Sequence, residues 1–206
     1  STGAESIEAF ISNVTVQVDG TVQGLTAGIR FLAEPDAVFN FDITVGATGS
    51  VSAIGSGLSL GGSTPFEGRG TISVNNAGNI TSEDFFGVSA FNFLDLTLIN
   101  SGTIRSNSDD AGQAIAVRVS GENATIINSG TIINSLAAPN SNDPNVLADF
   151  AAIASLVGFG KDENGGDLTI FTNTGTVQSG GVAFVSIDGI DQINRQHHHA
   201  ERAVQH

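Results

Sequence analysis

The stretch LTLINSGTIRS, Leu96 to Ser106, returns 28 residues later as ATIINSGTIIN, Ala124 to Asn134. In both, β-branched and apolar residues alternate with polar ones on either side of an Asn-Ser-Gly step, which reads as strand, tight turn, strand. The same motif occurs four more times: VTVQVDGTVQG (Val14 to Gly24), ITVGATGSVSA (Ile43 to Ala53), ISVNNAGNITS (Ile72 to Ser82) and TIFTNTGTVQS (Thr169 to Ser179). The central glycines, Gly20, Gly49, Gly78, Gly102, Gly130 and Gly175, are 29, 29, 24, 28 and 45 residues apart. Periods of this size mark a solenoid, whose units bury their apolar faces only by stacking on one another.

Aligned on the glycine, two columns are wholly apolar. Four residues before it stand Val16, Val45, Val74, Leu98, Ile126 and Phe171; two residues after it stand Val22, Val51, Ile80, Ile104, Ile132 and Val177. Because a strand points alternate side chains to opposite faces, these columns are predicted to face the interior. The glycine is expected at a turn or bulge where a Cβ is costly. Two residues before it, Asn76, Asn100, Asn128 and Asn173 are predicted to stack into a ladder of side-chain amides that satisfy one another, an architectural role.

Each motif is followed by a second alternating stretch: GIRFLAE from Gly28, GLSLGG from Gly57, FGVSAFN from Phe86, QAIAVRVSG from Gln113, AAIASLVGF from Ala151 and GVAFVSIDG from Gly181. Each repeat therefore holds at least two sheets. The expected fold is all-β, a right-handed parallel β-helix of about six coils, since parallel crossovers are right-handed in nearly all cases. At roughly 4.8 Å per coil its core is about 29 Å long.

Three segments depart from the repeat. Residues 1–13 include Ser6 to Asn13, with a helical spacing of Ile7, Phe10 and Ile11, and are read as an N-terminal cap ahead of the solenoid at 14–189. Residues 135–150, SLAAPNSNDPNVLADF, form a corner insertion of the length that often carries function, with Asn140, Asn142, Asp143 and Asn145 as candidate contacts to a partner or cation. Residues 190–206 lack the motif and are read as a capping helix or tail; the adjacent His197 to His199 make a poor metal site, which needs ligands converging from a shaped scaffold.

Composition narrows the class. Cysteine is absent, so disulfides, thiolate metal sites and cysteine nucleophiles are excluded. The absence of Met, an initiator included, fits a chain whose export signal has been removed. A net charge of −14 repels phosphate backbones and anionic lipid surfaces, and no apolar run reaches spanning length. Neither nucleic-acid binding nor membrane insertion is expected.

The motif, in the forms LINSGTIRS (Leu98 to Ser106) and IINSGTIIN (Ile126 to Asn134) with an apolar strand after each, resembles the passenger domains of bacterial autotransporters and related adhesins over about Val14 to Gly189. The resemblance implies a secreted parallel β-helix displayed at the cell surface or released from it, used in adhesion or matrix building. The chain departs from that pattern in showing no alternating strands of an outer-membrane barrel after the repeats.

Parallel β-helices also host polysaccharide lyases and hydrolases. Ser108-Asp109-Asp110 holds the only adjacent Asp pair, in a Gly- and Ser-rich corner where solvated turn aspartates are common, whereas hydrolysis needs two carboxyl groups set across a bond. Lyase chemistry would draw on Arg105, Arg118 or Lys161 beside Asp162 and Glu163, yet KDENGG, Lys161 to Gly166, reads first as a polar turn. With no Trp or Tyr there is no aromatic platform bearing a polar handle for sugars. Asp109, Asp110, Asp162 and Glu163 stand as weak calcium candidates, calcium needing six or more oxygens. The expectation is a non-catalytic extracellular structural protein without cofactor, whose main partner is itself in a fibre, surface layer or adhesin-type stalk. A surface glycan- or calcium-binding module is the alternative, and a polysaccharide lyase or hydrolase the more distant one.

Overall fold

The computed structural model describes residues 5–34, 37–62, 70–137, 150–155, 168–186, 190–195 and 204–205. Every regular element among them is a strand, and all seventeen strand pairings are parallel. The protein is all-β and built of parallel sheets, an arrangement compatible with a β-solenoid.

Each motif copy folds as two strands. The first strands are β2 (Asn13–Val18), β5 (Phe39–Val45), β8 (Gly70–Asn76), the second halves of β10 (Val88–Asn100) and β12 (Val117–Asn128), and β15 (Leu168–Asn173). After the turn come β3 (Thr21–Gly24), β6 (Ser50–Ala53), β9 (Asn79–Ser82), β11 (Thr103–Ser106), β13 (Thr131–Asn134) and β16 (Thr176–Gln178), which form a six-stranded sheet of their own. The stretches after each motif are strands too: β4 (Ala27–Ala33), β7 (Ser56–Gly62), the first halves of β10 and β12, β14 (Ile153–Ser155) and β17 (Phe184–Ser186).

β10 and β12 are long enough to belong to two strips of strands, so the strips after the motif and the motif's first strands merge into one thirteen-stranded sheet. The bend between them falls where the β10/β12 register shifts, between Phe91 and Phe93. Asn92 adopts φ 53 there, and Gly121 lies where a Cβ would strike the Phe93 ring. The chain thus has three strips of strands around one interior. Phe31, Phe39, Phe41 and Phe93 fill it, with Phe39 and Phe41 stacked at 4.7 Å between ring centroids.

The column after the glycine stacks as expected: Val22 on Val51, then Ile80, Ile104, Ile132 and Val177. The column before it needs one correction. Val16 stacks on Ile43 and Ile43 on Val74, whereas Val45 stacks between Val18 and Asn76. The second copy carries a longer turn, Gly46 to Gly49, so counting back from its glycine lands one inward position too late. A two-residue error keeps strand parity and therefore hides in an all-apolar column.

The glycine column is set by contact between copies. A Cβ on Gly78, Gly102, Gly130 or Gly175 would lie 2.1–2.2 Å from the carbonyl oxygen of the preceding column glycine. Those same carbonyls accept the N–H of Asn79, Thr103, Thr131 and Thr176 in turn. Gly20, first in the column, has nothing within 4 Å of that position.

Both ends differ from expectation. The helical spacing at Ser6 to Asn13 is overridden: β1 (Glu5–Phe10) is a strand paired in parallel with β4, because strand edges left open by β4 outweigh a weak local helical pattern. At the other end β18 (Ile190–Arg195) pairs with β15 in the register that continues the first-strand stack, and β19 (Val204–Gln205) pairs with β17. Pairing therefore extends past residue 189 although the motif's letters do not. Lys161, Asp162, Glu163, residues 138–149 of the insertion and His197 to His199 lie outside the described residues.

Candidate functional site

The amide ladder forms, and it has a direction. Asn76, Asn100 and Asn128 are fully buried. Asn76 Nδ2 donates to Asn100 Oδ1, Asn100 Nδ2 to Asn128 Oδ1 and Asn128 Nδ2 to Asn173 Oδ1, each at 2.7 Å. The same nitrogens reach the carbonyls of Thr103, Thr131 and Thr176 at 3.2–3.3 Å. Asn76, Asn100 and Asn128 thus point their NH₂ groups toward the C-terminal copies, and Asn100, Asn128 and Asn173 point their oxygens toward the N-terminal ones, each beside the previous copy's donor. The ladder starts abruptly: Asn76 Oδ1 is buried with no hydrogen-bond partner, and the residue stacked on its N-terminal side is Val45.

A second polar column was not read from the sequence. Ala53, Ser82, Ser106 and Asn134, the last residues of their motif copies, stack in register at the opposite end of the six-stranded sheet. Ser82 Oγ donates to Gly55 O at 2.6 Å and accepts Phe85 N–H at 2.8 Å. Asn134 Nδ2 donates to Phe150 O and Ala151 O, and its Oδ1 accepts Leu136 N–H at 2.8 Å. These residues tie down the corner loops that leave the sheet, an ordinary need of buried backbone. The signal was visible as a polar residue at the final position of the last four motif copies, Ser82, Ser106, Asn134 and Ser179, yet Ser and Asn there also fit a plain loop start. Deeper in the chain, Ser155 and Thr169 share a buried hydroxyl pair at 2.7 Å.

The surface candidates are spread apart. Asp109 and Asp110 are exposed. Asp110 closes its own turn: its carbonyl accepts Gln113 N–H and Ala114 N–H, its carboxylate accepts Gln113 Nε2 at 2.7 Å, and Gly112 follows at φ 77. Arg105 is on β11 and Arg118 on β12, where the Arg118 guanidinium sits 5.0 Å from the Phe86 ring centroid. Among the described residues, no group of three or more His, Asp or Glu side chains is placed to hold a metal ion.

One groove of about 340 Å³ opens along the corner between β3 and β4 and its neighbours, with Leu25, Ile54 and Phe85 on its rim and Arg30 and Ser59 in its lining. The three rim residues are 43–48% exposed, an apolar ridge one residue wide on successive copies. Comparison with family models, characterised proteins and solved structures gives no match to this chain.

Proposed function

We propose that this chain is a non-catalytic, exported structural protein: one right-handed parallel β-solenoid of about six motif copies, acting as a stalk or fibre element at the cell surface and associating with itself. The observation that carries this reading is where the buried polar groups point. Asn76, Asn100, Asn128, Ser82, Ser106 and Asn134 each make a hydrogen bond to an adjoining copy or to the loops between copies, and Asn100 and Asn128 also donate to their own turn glycine's carbonyl, so these buried polar groups serve turns and stacking. Right-handedness follows from the general chirality of parallel crossovers. Export and display rest on the resemblance to adhesin passenger domains, together with the absence of Cys and the charge of −14, which favours solubility and opposes phosphate or anionic lipid partners.

The test is negative-stain electron microscopy with size-exclusion light scattering on the purified chain, with and without millimolar calcium. Discrete or extended assemblies in both conditions support the reading. A strictly monomeric protein at every concentration removes self-association from it, and assembly only with calcium moves the assignment to a cation-dependent binding module.

A further inference from the structure

One side of the strand stack carries almost no charge. The strands before each turn, β2, β5, β8, β15 and the second halves of β10 and β12, lie side by side in register, and each sends three side chains outward. None of these outward residues is Lys, Arg or Glu, and Asp42 and Asp95 are the only charged ones, whereas about a quarter to a third of an ordinary soluble surface is charged. Half of them are Thr or Ile. Part of the remaining polarity is already bonded between copies: Asn123 Nδ2 donates to Asp95 Oδ1 and Thr71 Oγ1 to Asn40 Oδ1.

On this face Ile99 sits beside Ile127 and Thr97 beside Thr125, and β15 adds Ile170 and Thr172, making a block of six β-branched side chains. Ile99 and Ile127 are 40% and 39% exposed. Such residues have few rotamers to lose on burial, unlike Lys, Arg and Glu, so covering this face costs little order. Depletion of Lys, Glu and Asp is also what distinguishes interfaces from other surface. Six strands at roughly 4.8 Å and six residues at roughly 3.3 Å give about 600 Å² of face, so two such faces bury about 1,200 Å², enough for a specific contact. The face runs along the side of the stack, where further copies would lengthen it rather than cover it.

We infer that this face packs against the same face of a second copy, joining two stacks side by side as a dimer. This rests on the self-association proposed above and specifies its surface. A two-fold axis parallel to the stack, lying between the Thr125 column and the Ile127 column, sets each copy over the same copy of the partner with the sheets about 10 Å apart. Thr97 then faces Ile99 of the second molecule, Thr125 faces Ile127 and Ile170 faces Thr172, so every isoleucine of the block meets a threonine methyl. Asp42 faces Thr44 rather than its own counterpart, which avoids a like-charge contact.

The experiment is light scattering over a wide range of concentration on the wild-type chain, Ile127→Lys, Thr97→Lys and Ile133→Lys, each checked for fold by circular dichroism. The first two place a charge in the contact at outward positions that leave the core intact, and two sites guard against a folding artefact in either. Ile133→Lys is the control: it faces outward on the six-stranded sheet, where Arg105 already occupies the same column. The expected result is a dimer mass for wild type and Ile133→Lys, halved in Ile127→Lys and Thr97→Lys, with the wild-type spectrum in all. Assembly that persists in the folded Ile127→Lys and Thr97→Lys proteins, or that is lost equally in Ile133→Lys, overturns this inference while leaving self-association standing. A wild-type monomer at every concentration overturns both.

Discussion

A Cβ at Gly102 would sit 2.1 Å from Gly78 O and 2.6–2.8 Å from the Ala77 carbonyl group, all backbone atoms that cannot rotate away. Gly102→Ala must therefore push two neighbouring copies apart by roughly 1 Å to reach ordinary contact distance, stretching the Thr103 N–H···O=C Gly78 bond now at 2.8 Å. Overpacking of this kind costs about 1–3 kcal/mol, and the weakened hydrogen bond adds about 1 kcal/mol. At about 2–4 °C per kcal/mol for a chain this size, the melting temperature falls by roughly 4–16 °C. Gly20→Ala is the matched control: same column, same residue change, no atom within 4 Å of the new methyl. Its expected effect is neutral to about 1 kcal/mol stabilising, through reduced freedom of the unfolded chain. Thermal melting followed by circular dichroism at low protein concentration reads both. Equal shifts in the two variants, or a Gly102→Ala protein melting within about 1 °C of wild type, would refute close approach between copies as the reason for this glycine column.

Asn100→Leu strips Asn128 Oδ1 of the Asn100 Nδ2 donor and leaves Asn76 Nδ2 with one carbonyl, so a loss of about 2–5 kcal/mol is expected in urea titration. Val45→Asn supplies a donor to the orphaned Asn76 Oδ1, and its cost should stay under about 1 kcal/mol, whereas Val74→Asn, equally buried but in an apolar column, should cost about 3 kcal/mol. Ile132→Ala, wholly interior, should cost about 2–5 kcal/mol, against less than about 1 kcal/mol for its outward neighbour Ile133→Ala. Because Asp110 is engaged in closing its own turn, a millimolar chelator should leave the melting temperature unchanged; a calcium-dependent rise would reverse the structural assignment.

Much of the ladder was legible because the Asn-Ser-Gly-Thr letters recur with little change in the copies around Gly102 and Gly130, where the stacked amides bond one another. The Ser82, Ser106 and Asn134 column was not, since the same residue types start any surface loop and only their burial reveals the demand. The second copy misled for a geometric reason: its turn is two residues longer, and period-two strands conceal a shift of two. The groove beside Leu25, Ile54 and Phe85 had no sequence signature, being assembled from corners about 30 residues apart in the chain.

The sequence by itself determined that this protein stacks repeats into parallel sheets, which residues face inward in most copies, and where the amide ladder runs. Those properties are local and periodic, so alternation and repetition suffice to read them. Only the tertiary structure decided that β10 and β12 fuse two strips into one sheet, that Glu5–Phe10 and Ile190–Arg195 join the stack as strands, and that the ladder begins on an unsatisfied oxygen. Each of these depends on what lies one copy away, where an open strand edge or a missing donor outweighs the preference of any single segment.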